Sequence, residues 1–458
     1  MSGQAIERTN PLQTESIWKL IRAYSLPAII SGLINSLYNI VDQIFIGQSM
    51  GTVGNAATNI AFPLVTILTS LSMMIGVGGA SNFSLLLGRK EEKDAGRIVG
   101  NSIFFALISG VCLCAAVSAF LSPLMYLFGA RGQVLEYSMQ YSGITALGMP
   151  FAMIGSSCSQ LIRADGSPKY AMASSLSGAI LNTILDPIFI FALHMGIRGA
   201  ALATITGQIV TAVLVLLYFR KFRSLQLTKD DFRLRKTALK SICTLGMAAC
   251  LNQLAVTVVQ IVLNNSLGYY GERSVYGRDI PIACVGIISK INTLYIAAAF
   301  GIAQSCQPIM GFNYGAGHYD RVRKAYRCAA TVIVALGSIA FLCFHLFPRQ
   351  IIDIFGKGNE LYYDFGIRYF HIFLFFVFIN GIQILTSSFF SSIGSAFKGI
   401  CVSLSRQVVL FLPLVLLLPL VWGIDGILYA APIADGGAFI LAVLLYLSQS
   451  RQMKKARI

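Results

Sequence analysis

Charge is scarce in this sequence. Of its 458 residues only 12% are Asp, Glu, Lys or Arg, where a soluble protein carries roughly a quarter. That shortage excludes an ordinary soluble enzyme of this length. Histidine is nearly absent at four residues and tryptophan at two. The ten cysteines, from Cys112 to Cys401, all fall inside apolar runs, and none has CxxC spacing. They read as small buried hydrophobes rather than disulfides or metal ligands. There is no HExxH, no phosphate-binding loop and no ATP-binding domain, so a transport reaction would have to draw on an energy source other than ATP. The pattern GQSMG at 47–51 matches GxSxG, but that nucleophile turn needs a strand-to-helix corner in a soluble sheet. Here it joins two apolar runs. No catalytic constellation emerges, and no enzyme is expected.

What is abundant is apolar sequence: 56% of residues are hydrophobic and mean hydropathy is +0.71. A transmembrane helix needs about 20 apolar residues. Such runs are expected at 18–47, 55–87, 97–129, 135–162, 168–193, 197–220, 240–268, 281–312, 322–347, 361–391, 398–422 and 426–449. They are continuously apolar, whereas outer-membrane strands alternate over about ten residues. The fold class read here is all-α, a polytopic membrane protein of about twelve helices. The residues before Thr14 are polar, and no cleaved leader is expected.

The net charge of +16 is distributed with a bias that fixes an orientation. Runs such as Arg89, Lys90, Lys93 and Arg97, the segment from Arg220 to Lys240, and Arg321, Arg323, Lys324 and Arg327 follow even-numbered spans, as do Arg163 and Lys169. With Arg8, Lys19 and Arg22, 26 of the 35 cations lie on one side; six, Lys357 among them, lie on the other. This places both termini in the cytoplasm of a bacterial inner membrane and argues against nucleic acid as the partner of the positive charge. The polar segment 221–239 separates two halves, 18–220 and 240–449, flanked by an N-terminal segment 1–17 and a basic tail 450–458. The halves echo each other weakly: GIRG at 196–199 has its counterpart in GIDG at 423–426, and ADGSPK at 164–169 in IGSAFK at 393–398. Six spans per half start both halves on the same side, giving parallel repeats with a seam between them, the place where transporters bind substrate.

Ionisable residues inside spans are costly and mark function by default. Asp42 lies roughly 8 Å and Asp186 roughly 10 Å from the outer ends of spans 1 and 5, at 1.5 Å per residue. Asn182 is one turn before Asp186, on the same face. Tyr141 and Thr204 fall in the same layer. Pro187 has no N–H, so the carbonyl of Thr183 loses its helical donor. Carboxylates, amide, hydroxyls and a carbonyl suit a proton or a hard cation such as Na⁺. The plainer alternative is that these groups hydrogen-bond locally and hold helices together. In the second half, Arg406 either snorkels to the cytoplasmic surface or, like Lys290 and Asp435, is a candidate to line the cavity. Lys290 would either pair with Asp435 or line the seam. Arg368 and His371 fall near the outer end of span 10.

Five stretches, YNIVDQIFIG at 38–47, IRADGSPK at 162–169, LNTILDPIFI at 181–190, GIRGAALAT at 196–204 and FNYGAGHYDRVR at 312–323, together resemble the multidrug and toxic compound extrusion (MATE) family over nearly the whole chain. The resemblance implies a V-shaped pair of six-helix lobes, no cofactor, and export of amphipathic, often cationic, compounds by a monomer in exchange for Na⁺ or H⁺. It maps a cation site onto Asp42, Tyr141, Asn182, Asp186 and Thr204, and a bending proline onto Pro27. Span 7 carries Gln253 and Gln260 where some relatives have an acid, and Ser159 stands at a span-4 position that is Asn in others. A second ion site is therefore not expected in the second half. A lipid-linked oligosaccharide flippase of the same superfamily is the alternative; it would need a large cationic cavity.

Overall fold

A computed structural model describes residues 11–354 and 358–455. Arg8, Lys357 and Arg457 of the charge count lie outside them. Among the described residues there is no β-strand, and nine helices are long and apolar enough to cross a membrane, with a bent pair making ten. Two features bring this to twelve. The helix Ile17–Gly88 has 72 residues and breaks at Gly51, whose φ of 63° and ψ of −152° only glycine adopts readily. Its arms, 17–50 and 52–88, are α1 and α2. The GQSMG pattern is absorbed into this break. The helix Gly132–Ala164 is long enough to span at 33 residues but falls short on apolarity. It buries Ser138, Ser142, Ser157 and Ser159 among neighbouring helices instead of presenting an apolar face to lipid.

The remaining spans are α3 (Glu92–Ala119), followed by the short helix Leu121–Leu127; α4 (Gly132–Ala164); α5 (Pro168–Ala192); α6 (Gly196–Phe219); α7 (Lys236–Glu272); α8 (Asp279–Gly315); α9 (Tyr319–Leu346); α10, made of Glu360–Phe373 and Val377–Ser392 at 49° to one another; α11 (Ala396–Trp422); and α12 (Ile424–Lys455). The last five residues of α5, Ile188–Ala192, are a π turn. It begins directly after Pro187, where the missing N–H interrupts the ordinary register. Pro27 behaves differently: helical φ/ψ runs through it, and Gly51 is the only break in that helix. Large apolar side chains such as Leu127 (77% exposed) and Val421 (78%) stand on the outside, the arrangement a lipid solvent favours.

The halves meet through α1 and α2 on one side and α7 and α8 on the other. Contact is closest at the end where α1 and α7 begin, which is also the basic end. A Cβ on Gly78 would come within 1.9 Å of the Ile242 carbonyl, and one on Gly246 within 1.8 Å of the Met74 carbonyl. Only glycine lets α2 and α7 cross this tightly. Hydrogen bonds reinforce the contact between the halves: Gln307 Nε2 of α8 donates to Ser81 Oγ of α2 at 2.5 Å, Ser241 Oγ of α7 to Asn82 Oδ1 of α2 at 2.6 Å, and Ser305 Oγ of α8 to the Tyr24 carbonyl of α1 at 3.0 Å.

Each half is also gripped by the chain leading into the other. Asn313 of α8 donates to the Leu12 carbonyl at 3.0 Å, and Arg321 of α9 donates to the carbonyls of Leu12 and Glu15. In return, Asn101 of α3 donates to the carbonyls of Asp231 and Arg233 and accepts from the Arg235 N–H at 2.8 Å. Asp165, at the end of α4, accepts from the N–H groups of Arg223 and Ser224 and from the Tyr218 hydroxyl. The segment between the halves is therefore docked rather than free, and α7 begins at Lys236, inside the expected 221–239 linker.

Candidate ion-coupling site and central cavity

Four helices of the first half converge on the acidic layer. α1 brings Asp42, α4 Tyr141, α5 Asn182 and Asp186, and α6 Thr204. Asp186 is fully buried, Asn182 is 3% exposed and Asp42 7% exposed. The carboxyls of Asp42 and Asp186 stand side by side, and the Tyr141 hydroxyl lies beside that of Thr204. The Thr204 hydroxyl also donates to the Ala200 carbonyl at 3.0 Å, and the Thr183 hydroxyl to the Ala179 carbonyl at 3.0 Å.

The decisive feature is what these groups lack. Asp42 Oδ1, both oxygens of Asp186, and both polar atoms of the Asn182 amide are buried without a hydrogen-bond partner among the described residues. Buried polar atoms are almost always paired, and each exception calls for an explanation. Two carboxylates facing each other are both acceptors, so a donor or a cation has to lie between them: a shared proton, a bound cation or a bridging water. Among the described residues no protein group supplies the local partners that the helix-holding alternative needs at these atoms. Among the described residues no group of three or more His, Cys, Asp or Glu could hold a metal ion. Two carboxylates with neutral oxygens match a weakly held, exchangeable ion better than a resident transition metal.

Sequence reasoning missed Tyr38. It lies one turn before Asp42 on the same face, and the Asp42 charge acts on its hydroxyl. The i, i+4 spacing was the available signal. Beyond the site, Ile46, Ile190 and Ala200 form an apolar cluster with Phe45, Met50 and Tyr141 packed on it. Phe45 and Phe191 meet edge to face at 6.2 Å. On the other side, Tyr38, Asn182 and Thr204 form part of the wall of a cavity of about 570 Å³, which runs between the halves to Gln160, Arg163 and Gln304. Asp42 and Asp186 do not line this cavity; they sit behind those three residues. Gln253 lines it from α7, and Ser159 from α4.

The second half departs from expectation. Asp435 is 4% exposed and pairs with Arg406, with Asn380 Nδ2 approaching the same Oδ1 at 3.4 Å. Arg406 therefore turns inward rather than snorkelling, since a carboxylate within reach in a dry interior outweighs the distant surface. Lys290 does not pair with Asp435. It is exposed, and its spacing to Thr293, Ala297 and Gln304 puts it on the α8 face that lines the cavity. Neither Arg406 nor Asp435 borders the large cavity. Arg368 bonds Asp425 at 2.8 Å and the Tyr276 hydroxyl at 3.0 Å.

The MatE family model matches residues 27–188 and again 248–417, once in each half. The multidrug export protein MepA of Staphylococcus haemolyticus is 24% identical over 439 residues, covering 95% of this chain and 94% of that one. The MepA of Staphylococcus saprophyticus is 25% identical over 443 residues, covering 96% of each. The MATE multidrug transporter DinF-BH, solved as a ligand complex, is 33% identical, with a TM-score of 0.88 over 96% of this chain and 97% of that one. An outward-facing MATE family transporter of the MOP superfamily shares the fold at a TM-score of 0.90 and 23% identity, covering 97% of this chain and 98% of that one. The paired half-matches, the coverage and the 33% relative agree with the architecture, and the chain belongs to the multidrug and toxic compound extrusion family of membrane transporters.

Proposed function

We propose that the chain is a multidrug efflux antiporter of the bacterial inner membrane. It exports amphipathic organic compounds in exchange for Na⁺ or H⁺ taken up at Asp42 and Asp186, with both termini in the cytoplasm. The observation that carries this reading is the buried, unpartnered carboxylate pair placed one layer behind a substrate-sized cavity. Tyr38, Asn182 and Thr204 are shared between the two, so ion occupancy and cavity shape are physically linked. A proton or cation between the carboxylates removes their mutual repulsion and lets α1 and α5 close on each other. The Thr183 carbonyl, without its helical donor above Pro187, is a further oxygen available to a hard cation. Coupling follows if the ion favours one packing of α1 and the substrate the other, since equal affinity for both would shift nothing.

The flippase alternative needs a strongly cationic cavity. Arg406 is neutralised by Asp435 away from the cavity, which leaves two cations facing it among the described residues, Arg163 in its wall and Lys290 on the same face of α8, rather than a cationic lining. The antiporter reading is tested in everted vesicles, with ethidium fluorescence reporting transport under an imposed Na⁺ or H⁺ gradient. One gradient should drive accumulation in the wild type, and Asp42→Asn and Asp186→Asn should each abolish it. Undiminished gradient-driven transport in both variants would sink the proposed site.

A further inference from the structure

The cavity has a polarity that the acidic layer conceals. Of the described residues in its wall, Arg163 alone is charged; the others are apolar or neutral and polar, among them Asn35, Gln208, Gln253 and Gln304, and Lys290 stands on the same face of α8 but outside that wall. Arg163 ends α4 at the basic floor of the cavity. The acids lie far from it. Tyr141, in the acidic layer, is 22 residues earlier on the same helix, roughly 33 Å along its axis.

Among the described residues the guanidinium has no acidic partner. Its Nη1 donates to Gln160 Oε1 at 3.2 Å and to Gln304 Oε1 at 3.4 Å, both neutral amides. Gln160 Nε2 itself donates to Gln304 Oε1 at 2.8 Å, so that oxygen is shared between donors. Asp165, two residues on, is engaged elsewhere: its carboxylate takes the Tyr218 hydroxyl and the N–H groups of Arg223 and Ser224. A half-buried guanidinium with five donors and only neutral acceptors keeps most of its capacity for a bidentate anion. An arginine in a cavity wall with no carboxylate beside it among the described residues is free to pair with an anionic group of a ligand.

We propose that Arg163 is a carboxylate-recognition residue of the substrate cavity, the contact that holds the anionic end of those exported amphipathic compounds that bear a carboxylate. Their anionic end rests on the floor at Arg163, and their aromatic or cationic body lies toward Phe151, Phe300 and Tyr38. This rests on the export reading above and extends it to the chemistry of the substrate.

The test uses two matched dyes, rhodamine 19, which carries a free carboxylate, and its ethyl ester. Binding to the purified full-length protein is read by fluorescence anisotropy, and transport by uptake into proteoliposomes. In the wild type the acid should bind relative to the ester with a preference that falls about tenfold in Arg163→Gln, the loss of one charge-assisted pair. Arg163→Lys should restore part of it. Gln304→Ala, which removes the neutral acceptor but leaves the guanidinium, should keep the preference. Equal acid-to-ester ratios in wild type and Arg163→Gln, or loss of the ratio in Gln304→Ala alone, would overturn the assignment. A preserved Arg163-dependent ratio in binding, without gradient-driven uptake of either dye, would support the site while sinking the antiporter reading.

Discussion

Each half of the molecule buries acid within the membrane, and the two treat it in opposite ways. In the first half, Asp42 and Asp186 face one another with no cationic side chain paired to them among the described residues, beside an amide that also lacks partners there. In the second, Asp435 is as deeply buried but is held by Arg406 and approached by Asn380. A carboxylate already neutralised by a fixed guanidinium has little to gain from a mobile ion. An unpaired one does. The same fold, repeated, thus yields an exchangeable site in one half and a fixed internal clasp in the other.

The sharpest way to break this comparison is to remove charge from each half. Asp42→Asn or Asp186→Asn should abolish gradient-driven ethidium transport in everted vesicles while leaving folded protein in the membrane. Equal loss from Asp435→Asn, at matched amounts of folded protein, would erase the distinction. Asp435→Asn should act on stability instead, because it strands Arg406. Breaking a buried pair costs about 3–5 kcal/mol, visible as lower thermal stability in detergent. The double change Arg406→Met with Asp435→Leu should recover most of that loss, since apolar replacement of a buried pair is often neutral. A double variant as unstable as Asp435→Asn would mean that the pair does more than satisfy itself.

Smaller effects probe where the halves are alike. Gly246→Ala drives a Cβ into the Met74 carbonyl, and the overpacking should cost roughly 1–3 kcal/mol and push α7 off α2. Cysteine labelling at the basic end of the cavity should then increase; unchanged labelling would show that the crossing yields without opening. Asn101→Ala and Arg321→Ala each release one lead-in segment. Each should cost about 1 kcal/mol per net hydrogen bond lost. Asn101→Ala should speed proteolysis within 221–235, and Arg321→Ala should not.

The twelve spans and the acidic layer were legible because ionisable residues within long apolar runs are few, and depth along a helix follows from residue number alone. Asp186 and Asn182 share a face by simple i, i+4 geometry, and Tyr38 with Asp42 could have been read the same way. The partner of Asp435 was not legible. Lys290 and Arg406 are both cations in apolar sequence, and choosing between them requires the rotation of α8 and α11, which tertiary packing sets. Arg163 was counted as one more loop cation; only the fold turns it toward the cavity while turning Asp165 away. The polar packing of α4 likewise depends on neighbours, whereas the break at Gly51 falls in the join expected between the runs 18–47 and 55–87. A serine-rich helix scores poorly by hydropathy because its surroundings are protein rather than lipid.

The exchanged lead-in segments have an architectural consequence. Two proteins that trade an identical arm form a swapped dimer, in which each subunit's fold is completed by its neighbour. Here the segment entering the first half is clasped by Asn313 and Arg321 of the second, and the segment entering the second is clasped by Asn101 and Asp165 of the first. The molecule has the connectivity of such a dimer made continuous by one covalent joint. Neither half expressed alone would carry its full surface at the basic end. A chain divided after Phe219 would have to reassemble by trading arms, as two separate subunits would.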